Sequence, residues 1–150
     1  TQARQWIDKH QVVPFFMMLR LRDLENAPTK KLDTKGLYPQ SGSERPIDRY
    51  DNALTDLDAQ IGSLLKYIRD HEIRKNTYIL VTAPYGHEFS LQNTGKLLSE
   101  PTLRVPLILN GPGVRTGHVP RQVDMADIGA TIADITGVSY PKLVDGQSVM

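Results

Sequence analysis

The chain has 150 residues, enough for one domain with a real core, and its 39% hydrophobic and 23% charged content is that of a globular protein. A net charge of +1, without a basic stripe interleaved with aromatics, gives no footprint for nucleic acid. The absence of cysteine excludes disulfides, thiolate metal sites and a cysteine nucleophile on this chain, and no apolar run is long enough to cross a bilayer. The longest apolar stretch, within Val12 to Leu21, is short and is closed by Arg20 and Arg22.

Taken in chain order, Gln2 to His10 reads as the last turns of a helix, with Trp6 and Ile7 as its apolar contacts. Pro14 to Leu21, PFFMMLRL, is continuous and apolar, as expected of a strand covered on both faces. Asp23 to Arg45 is polar, without periodicity, and rich in Lys, Gly, Pro and Ser, which predicts a long surface loop. Asp48 to His71 is the clearest helix: Tyr50, Ala53, Leu54, Leu57, Ile61, Leu64, Leu65 and Ile68 recur at helical spacing. Asp48 is its expected N-cap, with Pro46 just outside.

Asn76 opens the turn into a second strand, Thr77 to Ala83, which runs into the polar turn Pro84-Tyr85-Gly86-His87-Glu88. Such a strand end is where an open α/β sheet keeps its chemistry. A third strand is expected over Leu103 to Asn110, placed near an edge by Pro106 and ended by Gly111-Pro112-Gly113. Arg121 to Asp124 could form a short strand. Asp127 is the expected N-cap of a helix over Ile128 to Thr136, which Gly137 stops. Strands alternating with helices imply an α/β fold with largely parallel or mixed sheet pairing.

These segments together resemble the C-terminal half of a sulfatase catalytic domain, in the alkaline phosphatase superfamily. Pro14-Phe15-Phe16 resembles the opening of the family's middle strand. Tyr50, Leu57-Asp58 and Ile61-Gly62 resemble its long helix, and Asn76-Thr77 resembles its strand entry. Arg104-Val105-Pro106-Leu107-Ile108 with Gly111-Pro112-Gly113 resembles its later strand and turn. Asp127 to Gly137 and Asp145-Gly146-Gln147-Ser148 resemble its closing helix and turn.

The resemblance implies an alkaline-phosphatase-like α/β fold, here partial: a largely parallel or mixed sheet flanked by helices. It implies hydrolysis of anionic sulfate or phosphate esters, with a divalent cation, Ca or Mg, at the strand ends. It favours a periplasmic or extracellular location. The family nucleophile, a modified Cys or Ser, or a Thr, lies beside two metal-binding Asp residues in an N-terminal half. The chain is expected to be a single domain fragment, 1–150, without that half, and a sheet edge left exposed by it would favour a homodimer.

The family's metal-binding Asp-His pair before a glycine falls on Pro84-Tyr85 before Gly86, and neither is a ligand for a hard dication. His87 and Glu88 are the substitute metal ligands a shifted register would offer, with His87 also a catalytic candidate; the other reading is a polar turn at a strand end. Lys96 falls where the family keeps a lysine on the sulfate, so it is the catalytic and anion-binding candidate, or an exposed loop lysine. Glu25 or Asn26 stands where the family has a His after the middle strand. Arg20 and Arg22 could bind an anionic group, Arg22 foremost, or pair with Asp23 or Glu25. His10 and His118 read as surface residues.

The expected function is therefore that of a sulfatase-like hydrolase domain fragment, inactive as this chain and binding no cation alone. The alternatives are a pseudoenzyme holding an anionic ligand or protein partner, a phosphoryl-group transferase of the same superfamily, and a purely structural domain.

Overall fold

The structure, a computed structural model, describes residues 2–25, 27, 45–89, 98–139 and 145–150. The first helix, α1, spans Gln2–His10 and buries Ile7, which is 1% exposed. Trp6 stacks on His10 one turn later, with ring centroids 4.1 Å apart, and meets Phe15 edge-on at 5.4 Å. The His10 Nδ1 donates to the Trp6 carbonyl at 2.7 Å, so this histidine completes the end of the helix.

The long helix, α2, spans Pro46–Asp70. At about 1.5 Å per residue it is the longest element among the described residues. It buries Ala53, Leu57 and Ile68 on one stripe, while Leu54 and Leu65 lie at the exposed flank of the periodic face. Asp48 is not the N-cap. Pro46 occupies the first turn, where its missing N–H costs nothing, and this makes Arg45 the cap and Asp48 the third helical residue. The Asp48 carboxylate accepts from the Arg45 backbone N–H at 3.3 Å and from its guanidinium at 2.8 and 3.1 Å.

Helix α1 is clipped to the second half of α2. Arg4 donates to the Ser63 carbonyl at 2.9 Å and to its hydroxyl, and lies 5.5 Å above the Tyr67 ring, whose hydroxyl donates to Asp8. After α2, Glu72 takes a left-handed backbone, φ 57°, and reverses the chain into a 3-10 turn at Ile73–Asn76.

Strand β1, Ile79–Thr82, pairs with β2, Leu107–Asn110, in the register Ile79 with Asn110 through Thr82 with Leu107. The pairing is antiparallel, against the parallel pairing expected from alternating elements. The only regular element described between them is the single turn α3, Glu100–Leu103. One turn cannot carry the chain back across a sheet face, as parallel pairing requires. Arg74 donates to the Asn110 side chain at 3.1 Å and secures one end of the ladder. The expected third strand is thus shorter at its start, because residues from Glu100 through Leu103 coil into α3.

The stretch 14–21 joins no ladder among the described residues. Its apolar side chains, expected to be covered on both faces, are largely open: Phe16 is 64% and Met18 82% exposed. Residues 121–124 likewise form no strand; they lead into α4, Met125–Thr136.

The cap of α4 is Asp124, not Asp127. The Asp124 carboxylate accepts from the Ala126 N–H at 2.7 Å, and Asp127, three residues on, accepts from the Asp124 N–H at 3.2 Å. Gly137 ends the helix in the left-handed conformation, φ 68°, as expected from the sequence.

The closing segment 145–150 is sewn along α4 by polar groups. Asp127 accepts from the Gln147 N–H at 2.7 Å, and Ser148 donates to Asp134 at 2.6 Å. The fully buried Thr131 hydroxyl donates to the Asp127 carbonyl at 2.7 Å and accepts from the Val149 N–H at 3.1 Å. Gly146 permits the approach, since a Cβ there would stand 2.1 Å from the Ala126 carbonyl oxygen.

The turn that follows β1 is fixed by a second close approach. The Gly86 N–H donates to the Thr102 carbonyl at 2.8 Å, and a Cβ on Gly86 would meet the Pro101 carbonyl oxygen at 1.9 Å.

Two consequences are measurable. Thr131→Val leaves the Val149 N–H without its acceptor, and a urea midpoint is expected to report a loss of about 1–3 kcal/mol, most of it restored by Thr131→Ser. Gly86→Ala forces the 84–88 turn off α3 at a cost of about 1–3 kcal/mol, with faster amide exchange at residue 86 as the local sign.

Candidate functional site

Strand β1 delivers its last residue, Thr82, with a buried hydroxyl that finds no hydrogen-bond partner among the described residues. Ala83 follows, then Pro84 and Tyr85 turn outward; Tyr85 is 42% exposed. The backbone contact of Gly86 with residues 101 and 102 then holds the chain in place while His87, Glu88 and Phe89 pass between α2 and α3.

His87 and Glu88 engage different neighbours. The His87 ring packs 5.3 Å from Tyr50 of α2 and 4.4 Å from Phe89, and Phe89 meets Tyr50 edge-on at 5.1 Å. Burial among these rings lowers the His87 pKa below the usual imidazole value, against the opposing pull of Glu88. Burial likewise raises the Tyr50 phenol, with a further contribution from Asp51. Glu88 accepts from the Ser99 hydroxyl at 3.4 Å; that hydroxyl also lies 2.9 Å from the buried Thr102 hydroxyl.

On the other flank, Arg20 and Arg22 converge on one acid. Arg20 Nη2 donates to Glu25 Oε1 at 2.9 Å and Arg22 Nε to Glu25 Oε2 at 2.8 Å. The two guanidiniums hold the Glu25 carboxyl below its ordinary range, Arg22 more strongly. Glu25 raises Arg22 in turn, first through the hydrogen bond and then through its charge. Of the alternatives in the sequence, pairing with Glu25 is the one realised; Asp23 is not the partner.

A divalent cation of the Ca or Mg type needs several hard oxygen donors. Pro84 offers none and Tyr85 a phenol. His87 is packed among rings, and Glu88 brings one carboxylate turned toward Ser99. Among the described residues no group of three or more His, Asp or Glu side chains is placed to hold a metal ion. The described residues at the turn do not offer the donor set of the cation that the resemblance implies.

Lys96 and Asn26 lie outside the described residues. His10 serves α1, and His118 is exposed on the segment before α4. Sequence reasoning missed the roles of Phe89, Ser99 and Gly86. A glycine followed by His-Glu-Phe at a strand end was the available signal for an aromatic group folding back on the helix.

Comparison with known proteins gives a consistent picture. The sulfatase family model matches residues 1–138. The bovine (Bos taurus) N-acetylglucosamine-6-sulfatase is 33% identical over 102 residues, covering 65% of this chain and 18% of that protein. The extracellular sulfatase SULF-1 homolog of Drosophila melanogaster is 29% identical over 126 residues, 81% of this chain and 10% of that one. A phosphopentomutase from a Methylobacterium is 31% identical over 100 residues, 67% of this chain and 22% of that one. The chain therefore spans less than a quarter of the length of these curated relatives. No solved structure matches it significantly. With a family match over nearly its whole length, the chain belongs to the sulfatase family.

Proposed function

We propose that this chain is the part of a sulfatase-type ester-hydrolase domain that walls one side of the strand-end site, and that it does not turn over sulfate or phosphate ester by itself. The observation that carries the reading is the pair Pro84 and Tyr85 at the end of β1, exposed and without a hard donor set, where the resemblance implies an acid and an imidazole.

Metal-assisted displacement needs a cation that polarises the ester and helps make the nucleophile. The groups remaining on this chain can steady charge but cannot replace that cation. Lys96 would offset the charge of a transferring group, as the resemblance implies. His87, held neutral by its aromatic surroundings, is poorly suited to present positive charge to an anion near neutral pH. A non-hydrolytic role in holding an anionic ligand draws support from the two arginines that share Glu25.

The purified chain is expected to release no 4-nitrophenol from 4-nitrophenyl sulfate or 4-nitrophenyl phosphate above buffer, with or without added calcium or magnesium. Cation-dependent release that is lost on His87→Ala would overturn the reading.

The state of His87 gives a second check. Its folded pKa is depressed, so the unfolded chain binds the extra proton first as pH falls. Stability from this residue is therefore present above the usual imidazole pKa and is lost as pH drops through the lower folded value. Thermal melts are expected to fall between neutral pH and mildly acidic pH, and His87→Phe is expected to flatten that part of the profile.

A further inference from the structure

Arg20 and Arg22, two residues apart in a segment outside any helix or strand, reach the same carboxylate. Glu25 spends one oxygen on each. Each guanidinium uses only one of its donor nitrogens in these bonds and keeps most of its five N–H groups for other acceptors. Both arginine side chains are well exposed, 63% and 68%, whereas Glu25 is at 23%. The carboxylate is therefore the fixed point and the two forks are the outward-facing part. One acid for two bases leaves the group net positive. Turn hydrogen bonds, from the Glu25 N–H to the Arg22 carbonyl at 3.2 Å and from the Ala27 N–H to the Leu24 carbonyl at 3.3 Å, hold the acid in place, and Ala27 is buried beneath it.

We propose that the Arg20–Arg22 pair, spread on Glu25, is a docking point for a tetrahedral oxyanion, the sulfate or phosphate group of an ester. This inference deepens the ligand-holding reading given above and stands apart from the question of turnover. Planar guanidinium forks match the geometry of such oxyanions through paired N–H donors, which lysines at the same positions would not do. Exposed ion pairs of this kind are worth little on their own, so an incoming dianion can share the arginines without a large loss from the Glu25 contacts.

The test is an NMR-monitored titration of the full chain with sodium sulfate and, separately, sodium phosphate, each against sodium chloride at equal ionic strength. The arginine side-chain N–H signals and the residue 20–25 amides are followed. Sulfate and phosphate are expected to bind about tenfold more tightly than chloride. Arg20→Gln with Arg22→Gln is expected to weaken that binding about tenfold, and the Lys pair at the same positions about threefold, since the charge remains but the fork is lost. Preference for one of the two dianions identifies the ester class. Circular dichroism confirms that each variant is folded. Binding no tighter than chloride, or binding unchanged in the Gln pair, would sink the proposal; hydrolysis by the wild-type chain would instead overturn the proposed lack of turnover and leave this one standing.

Discussion

The functional end of this molecule depends on the missing side chain of Gly86. Because nothing projects from that α-carbon, the turn after β1 lies directly against the backbone of residues 101 and 102 and is hydrogen-bonded to it. That single approach sets the direction of everything nearby. With Gly86 clamped, the next side chain goes into the rings of Tyr50 and Phe89, and the one after it goes toward Ser99. His87 thus packs against aromatic rings while its neighbour Glu88 meets a hydroxyl.

The same economy of small residues recurs at the other end of the chain. Gly146 lets the closing segment touch the first turn of α4, and Asp127 and Thr131 then satisfy its backbone N–H groups. Buried polar atoms there are paired on both sides, which is the condition for a polar seam to hold a structure together without large apolar residues. By contrast, the segment 14–21 keeps its phenylalanine, methionine and leucine side chains mostly open. The fold described is thus secured more by specific polar contacts and close backbone approaches than by one large apolar centre.

Membership of the sulfatase family and the altered chemistry of the strand end are compatible because they rest on different residues. The family match extends over residues 1–138. The chemistry turns on a handful of side chains at one turn. A scaffold tolerates a proline and a tyrosine there, since both lie at an exposed bend where they disturb no packing. A proline has no donor to offer a hard cation, because ligand chemistry is decided atom by atom.

Much of this was legible in the sequence. Helix α2 was evident from its apolar stripe, β1 from its continuous apolar run, and the end of α4 from Gly137, all of which depend on residues within a turn or two of one another. The loss of donors at Pro84 and Tyr85 was equally plain, because it is a matter of residue type. The caps expected at Asp48 and Asp127 lie one turn upstream: Pro46, expected just outside its helix, opens the first turn, and Asp124 rather than Asp127 caps α4. What the sequence by itself determined is therefore local: periodicity, helix stops and the chemical identity of the strand-end residues. Only the tertiary structure decided that β1 and β2 run antiparallel, that 14–21 stands open, that His87 and Glu88 part company, and that Arg20 and Arg22 share Glu25. Each of these depends on which distant or alternative partner a group meets, and that choice is set by chain direction and close packing rather than by any spacing along the sequence.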